Sequence, residues 1–314
     1  MDKKIKELEP LISIVIPTYN RENFIKRSIQ SVINGDYKNI EVIVVDDNST
    51  DNTFQIVTDL QSKDSRIRYI KLDKRSGPQA ARNRGIIEAR GEFIAFLDSD
   101  DTWESNKLAI QMEVLKSVNY NPYIVIHSNC YCYDEASGKK WIWNLPKTEG
   151  KCYDLLLKRP SPMFQSILTT KRALFDIGLL DESIIAYQEW DTSIRLSRIC
   201  EFIHIQRPLF TYHLHKEETI SKNVIKEIQG YFQIIKKYEF ELKEKGYLCS
   251  HIRILINKTI QFNEFKFIDK ILSYLDYCNL NKDFIKKITI STVLPAKLKK
   301  ILLNAYFKIN GGGM

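Results

Sequence analysis

Four apolar runs constrain this chain more than anything else in it: LISIVI (residues 11–16), IEVIVV (40–45), IRYIKL (67–72) and FIAFL (93–97). Strands that are apolar on successive residues, not on alternate ones, belong in a sheet covered on both faces. Helix-like segments separate them. Residues 24–33 are apolar at 24, 25, 29, 32 and 33, residues 53–61 follow the N-cap-rich NSTD, and residues 79–89 follow Pro78. This alternation predicts an α/β fold: a mostly parallel, Rossmann-like sheet with helices on both faces.

The rhythm changes after Asp101. A helix is expected over 105–118, one or two strands in YIVIHSNCYCYD, a turn at EASGKK, a short strand in QSILTT, a helix over 189–199 and a strand in FIHI. From Val224 an apolar stripe at 224, 228, 231, 232, 235, 238 and 242 predicts a helical region. The expected division is therefore 1–222, a catalytic α/β domain, and 223–314, a helical C-terminal region.

Open α/β sheets bind ligands beyond the carboxyl ends of their strands. The four runs here lead into PTYNR, DDNSTDNT, DKRSGPQAARNRG and DSDD. Asp and Asn also serve as caps and turn residues, which explains one such stretch but not four on one edge. The last is the most demanding, because Asp98, Asp100 and Asp101 repel one another unless something positive meets them.

SIVIPTYNR, EVIVVDDNSTDNT, ARNRG and FIAFLDSDD, in this order and spacing, resemble glycosyltransferase family 2, nucleotide-sugar-dependent inverting enzymes of the GT-A fold. The resemblance spans about residues 10–222 and implies a nucleotide-diphosphate sugar donor, a UDP-sugar, and a glycan or lipid-linked acceptor. It identifies Asp98-Ser99-Asp100 with the family's Asp-x-Asp motif: Asp100 as ligand of Mn²⁺ or Mg²⁺, Asp98 between ribose and metal, Asp101 behind them. Hard cations of this kind favour carboxylate oxygens and neutralise a diphosphate. Pro17, Thr18 and Tyr19 are expected to wall the base, Asp47 to accept from a uracil N–H while Asp46 orders the turn, and Arg82 to donate near base or diphosphate.

Inverting transfer also needs a carboxylate that takes the acceptor hydroxyl's proton. The family's Glu-Asp-Trp-Asp stretch corresponds to Gln188-Glu189-Trp190-Asp191 here, so Glu189 stands where the base is expected. Asp191 is the alternative, or a partner of Arg195, and an acidic helix start favoured by the dipole accounts for both without chemistry. Tyr212-His213-Leu214-His215 stands in the family's closing Tyr-Arg-x-His, with His215 at the position expected to touch metal or diphosphate.

Other classes fit less well. A nucleotidyltransferase or dehydrogenase needs a Gly-rich loop after the first strand, where this chain has PTYNRENF and no Gly until Gly35. A non-catalytic nucleotide-sugar binder would have no need of Asp98, Asp100 and Glu189 together. The net charge of +8 suits anionic partners, but no nucleic-acid module is present and none is expected to bind. Seven Lys against one Asp fall in residues 281–314. There Leu298, Ile301, Leu302, Ala305, Tyr306 and Ile309 share a helical face, with Lys297, Lys299, Lys300 and Lys308 largely off it. Residues 292–314 thus lie in an anionic membrane surface or pack on protein. The N-terminus does not read as a secretory signal, so the expected location is cytoplasmic, peripheral to the inner face of the membrane. The six Cys lack zinc spacing and are expected to be buried or idle thiols without disulfides. WIWNLP (141–146) offers sugar-stacking faces or core.

Overall fold

The structure, a computed structural model, describes residues 9–217, 223–262, 264, 267–278, 280–291, 294, 295, 297–299, 301–303 and 306. The chain divides into two compact units, Met1–Ser183 with Gln188–Glu217, and Ile184–Tyr187 with Glu218–Met314. The boundary expected near residue 222 lies outside the described residues.

In the first unit the four apolar runs are strands β1 (Ile12–Thr18), β2 (Ile40–Asp46), β3 (Ile67–Lys71) and β4 (Phe93–Phe96), separated by helices α1 (Ile25–Ile33), α2 (Thr53–Gln61) and α3 (Pro78–Glu88). Then follow β5 (Thr102–Trp103), α4 (Lys107–Ser117), β6 (Ile124–Asp134), β7 (Lys139–Trp143), α5 (Tyr153–Lys158), a 3₁₀ turn (Phe164–Ser166), β8 (Leu168–Thr170), α6 (Lys171–Asp176), α7 (Gln188–Leu196) and β9 (Glu201–Leu214). One nine-stranded sheet has the order β3-β2-β1-β4-β8-β6-β9-β5, with β7 paired to β6. The half from β3 to β4 is parallel. Beyond it the sheet is mixed: β8 runs antiparallel to β4 and β6, while β6 and β9 run parallel.

Successive residues of β1 face opposite ways and both ways are covered. Ile12, Ile14 and Ile16 join Ile25 and Ile29 of α1 in the main core. On the other side Gly85 lets α3 approach β1 so closely that a Cβ there would meet Val15 Cγ1 at 2.4 Å. Two local readings change in the structure. QSILTT becomes a 3₁₀ turn and a three-residue strand, and FIHI extends into the fourteen-residue β9. The EASGKK turn forms as expected. Asp134 accepts from Ala136 N at 3.0 Å and Ser137 Oγ at 2.6 Å, and Gly138 takes the left-handed φ of 71° that closes the hairpin. The hairpin returns as β7, every residue of which is exposed. This removes the core reading of Trp141 and Trp143.

The second unit is helical: α8 (Val224–Lys237), α9 (Glu239–Glu244), α10 (Leu248–Gln261), α11 (Ile268–Leu272) and α12 (Lys282–Ile290). The expectation of six unpaired thiols is corrected here. Cys249 and Cys278 form a disulfide with Cα atoms 5.5 Å apart, joining α10 to the segment after α11, while Cys130, Cys132, Cys152 and Cys200 are buried free thiols. In the tail, Leu298, Ile301 and Leu302 are exposed, whereas Leu303 and Lys299 are buried. Lys299 Nζ donates to Thr289 O at 2.9 Å. Ala305, Ile309, Lys300 and Lys308 lie outside the described residues. No helix among the described residues is long and apolar enough to cross a membrane.

Gly85→Ala is expected to destabilise the first unit by about 1–3 kcal/mol through overpacking, despite alanine's better helix propensity. A thermal melt reads this directly. Adding Val15→Ala should recover part of the loss; a Gly85→Ala melt at or above the parent's would show that α3 is not packed this closely.

Candidate active site

The carboxyl ends of β1, β2 and β4 lie side by side, because Thr18 is in register with Asp46 and Val15 with Phe96. Leu97 N donates to Val15 O at 3.1 Å, which ends β4, and Asp101 N closes on Asp98 O at 3.1 Å, folding Asp98–Asp101 into a tight turn. Helix α1 fixes the turn's backbone. Arg27 donates to Asp100 O at 2.8 Å, and Ser28 Oγ lies 2.9 Å from Ser99 O and 2.7 Å from Asp101 O.

Each carboxylate then meets a different element. Asp98 accepts from Arg82 of α3 at 2.6 Å on Oδ1 and from Gln165 of the 3₁₀ turn at 2.6 Å on Oδ2. The same Gln165 nitrogen donates to Asp101 Oδ2 at 2.6 Å, and the His213 amide of β9 donates to Asp101 Oδ1 at 2.9 Å. Asp100 lies 3.2 Å from His215 Nε2 and 3.6 Å from Arg21 Nε. Their acidities diverge accordingly. Burial lifts Asp101 well above the usual carboxylate range, aided by the charges of Asp100 and Asp98. Burial also lifts Asp98, against the opposing charge of Arg82. For Asp100 burial pushes up, but the His215 hydrogen bond and the Arg21 charge override it and hold the group below its ordinary value.

One flank of the turn is built from β1, β2 and the loop into α3. Asp46 accepts from Ser49 N at 2.7 Å and Tyr69 Oη at 2.5 Å, so it orders its own turn. Asp47 takes the amides of Ser76 at 2.6 Å and Gly77 at 2.8 Å, one on each oxygen. A carboxylate still has lone pairs left after two such bonds. The loop thus pinned sets the Arg75 guanidinium over the Tyr19 ring, 4.0 Å from its centroid. Pro17 is buried within β1. Thr18 is buried too, and its Oγ1 has no hydrogen-bond partner. An orphaned buried hydroxyl costs about 1–3 kcal/mol, and this one sits at the end of β1.

On the other side, α7 presents Glu189 in its first turn. Among the described residues Glu189 forms no salt bridge, yet it lies within electrostatic reach of Arg82 and Asp98; burial raises its pKa, with its own helix amide and Arg82 opposing. Asp191 is buried and held by Arg195 Nε at 3.0 Å. The two acids on one helix therefore face different tasks.

Among the described residues no three His, Cys, Asp or Glu side chains form a preassembled metal cluster. Asp100 and His215 are together, whereas Asp98 is turned to Arg82 and Gln165. This still fits a cation that arrives with its substrate, since Mg²⁺-type ions commonly bind one or two carboxylates and complete their shell with phosphates.

Two site residues carried no assigned role in the sequence. Arg21 belongs to PTYNR, but only the fold sets it against Asp100. Gln165 is a lone amide with partners 64 and 67 positions away, and no local signal marks it. It is braced from behind: Trp103 Nε1 donates to Gln165 O at 3.1 Å, and Gln111, held by the fully buried Lys107, donates to Ser166 O at 2.8 Å.

Comparison with known proteins gives the family and the fold. Residues 13–178 match the model of the family "Glycosyl transferase family 2". A GalNAc(5)-diNAcBac-PP-undecaprenol beta-1,3-glucosyltransferase of Campylobacter jejuni is 30% identical over 76% of this chain and 78% of its own. A UDP-Glc:alpha-D-GlcNAc-diphosphoundecaprenol beta-1,3-glucosyltransferase of Escherichia coli is 32% identical over 79% of this chain and 94% of its own. In fold, S. aureus TarS 1–349 in complex with UDP-GlcNAc superposes with a TM-score of 0.63 at 18% identity, covering 95% of this chain and 90% of that one.

Gln165→Ala takes the shared donor from the buried Asp101 and the partly exposed Asp98, at about 1–3 kcal/mol for the buried oxygen left unsatisfied. The variant should melt lower and bind UDP more weakly, and Gln165→Glu, of the same shape but charged, should lose more. Unchanged melting and UDP titration in both variants would remove Gln165 from the site.

Proposed function

The chain belongs to glycosyl transferase family 2, and from that premise we propose that it moves a sugar from a UDP-sugar to a lipid-linked glycan acceptor with inversion at the anomeric carbon. One observation carries the reading. Glu189, from a helix ninety residues downstream of the Asp98 turn, comes within electrostatic reach of Arg82 and Asp98 with no salt bridge of its own among the described residues.

The chemistry follows from that placement. The base is walled by Tyr19 and Arg75 and meets Thr18 Oγ1 and Asp47. Arg82 and Arg21 hold positive charge where the diphosphate departs. Glu189 takes the proton of the acceptor hydroxyl as that oxygen forms its bond to the anomeric carbon, and the bond from that carbon to the diphosphate oxygen breaks on the opposite face. A raised pKa suits this task, because a stronger base still ionises near neutral pH. Asp100, His215 and Asp98 would hold a Mn²⁺ or Mg²⁺ ion, which when bound supplies further positive charge to the leaving diphosphate. The relatives' names support the donor and acceptor classes. The E. coli protein's prints UDP-Glc and a diphosphoundecaprenol, and both names print a β-1,3 linkage. UDP-glucose is an α-glycoside, so such a product requires inversion.

Glu189→Gln should leave UDP binding intact and cut turnover by about 10²–10⁴, the usual worth of general-base catalysis. In the parent enzyme kcat/KM should rise with pH through a pKa above the ordinary carboxylate range, since only ionised Glu189 accepts a proton, and that limb should vanish in the variant. Full activity in EDTA would sink the metal part of the reading and leave the base intact. Turnover lost in Asp191→Asn but kept in Glu189→Gln would reassign the base.

The same reading places the enzyme at a membrane. Leu298, Ile301 and Leu302 expose an apolar stripe in the lysine-rich tail, which supports the lipid contact over packing on protein. Deleting 292–314 should release the protein from phosphatidylglycerol vesicles in flotation. Equal flotation with and without the tail would assign the contact elsewhere.

A further inference from the structure

Strand β7 is an edge strand that carries tryptophan outward. Trp141, Ile142 and Trp143 are 39%, 52% and 44% exposed, an arrangement soluble chains avoid without a reason. Pairing places Trp141 opposite Cys132 and Trp143 opposite Cys130 of β6, and β6 in turn pairs Cys132 with Tyr212 and Asp134 with Leu214 of β9. Side chains alternate along a strand, so Lys139, Trp141, Trp143, Cys132, Tyr212 and Leu214 share one face. Between them lies an open groove of about 290 Å³ lined by Cys132, Trp141, Trp143, Tyr212 and Leu214. Trp143 and Tyr212 meet edge to face with ring centroids 6.4 Å apart.

We propose that this groove binds the isoprenoid chain of a polyprenyl-diphosphate-linked acceptor, a deepening that rests on the lipid-linked reading above. The groove is apolar along its length and has the exposed Lys139 on the same face, which matches an amphiphile with a hydrocarbon chain and an anionic head. Trp141 and Trp143 line a concavity; a finger that enters a bilayer would project instead. The strand that lines the groove also leads into the active site. Leu214 is followed by His215, which meets Asp100, and Tyr212 precedes His213, whose amide holds Asp101. A chain seated there keeps its head group on the strand that ends at the diphosphate site.

The test uses full-length protein with UDP and Mn²⁺ saturating, so that the diphosphate site is filled. Farnesyl diphosphate should shift the intrinsic tryptophan fluorescence, and inorganic diphosphate should not. Trp141→Ala/Trp143→Ala should abolish the shift and raise KM for a polyprenyl-linked acceptor about tenfold or more, as loss of an aromatic anchor does. UDP-sugar hydrolysis, which needs no acceptor, should be unchanged and reports that the variant is folded. Trp141→Phe/Trp143→Phe should restore most of the affinity, and Lys139→Glu should weaken binding of the diphosphate form more than that of farnesol. An unchanged KM in the alanine variant would overturn the proposal. So would its loss of flotation on vesicles without polyprenyl lipid, which makes the face a bilayer contact, or its conversion from dimer to monomer, which makes it a self-interface. If no lipid-linked acceptor is glycosylated by the parent enzyme, the functional reading fails, while farnesyl diphosphate binding still decides whether the groove takes an isoprenoid.

Discussion

Three carboxylates in a four-residue turn, Asp101 buried and Asp98 and Asp100 partly so, persist only if the rest of the protein comes to meet them. An unpaired charge taken from water costs several kcal/mol, and here three are crowded together. The answer is a chain of donors. Gln79 orients Arg82 at 2.8 Å, Arg82 holds Asp98, Gln165 bridges Asp98 to Asp101, and the His213 amide closes on Asp101. Arg21 and His215 attend Asp100 from the other side. Helix α3, the 3₁₀ turn, the loop after β1 and strand β9 each contribute to it. These bonds also tie the mixed half of the sheet, through the 3₁₀ turn and β9, to the end of the parallel half. The acidic cluster therefore does not wait for a metal to become tolerable, as repulsion among bare aspartates suggests. The protein supplies two guanidiniums, an imidazole and an amide of its own.

The division of labour along α7 has an equally simple cause. Residues two apart on a helix point some 200° away from each other, so Glu189 and Asp191 cannot do the same work. Asp191 turns inward to Arg195, whose guanidinium also caps the carbonyls of Ile177 and Leu179. Glu189 instead feels the charges of Arg82 and Asp98. Arg82, which holds Asp98 directly, favours ionisation of both acids.

What the sequence makes legible is what depends on local period. The four strands fall where continuous β-branched runs put them, and the alternating helices fall between. The Asp-x-Asp turn and Glu189 are legible because their neighbours form motifs. Gln165 is not, since an amide's importance lies in which two acceptors it spans, and those are set by topology. The pairing of Cys249 with Cys278 across 29 positions is hidden for the same reason. The tail shows a subtler limit. Helical spacing shows that Leu298, Ile301 and Leu302 share a face, but spacing alone does not say which face looks inward. Leu303 and Lys299 do, which leaves the leucine-isoleucine stripe to the outside.

The charge balance bears on how a donor could be held at all. His213 adds no positive charge near pH 7, because burial and the nearby Arg27 push its pKa down to about 4. The guanidiniums nearest the turn are already drawn to carboxylates, Arg21 to Asp100, Arg82 to Asp98 and Arg27 to Glu135. A nucleotide diphosphate brings two more negative charges into the same space. Arginines already shared with carboxylates answer such a ligand only in part. For these arginines to take up another anion they would have to loosen a carboxylate, and the donors that remain on the turn are then the Gln165 amide and the His213 backbone N–H.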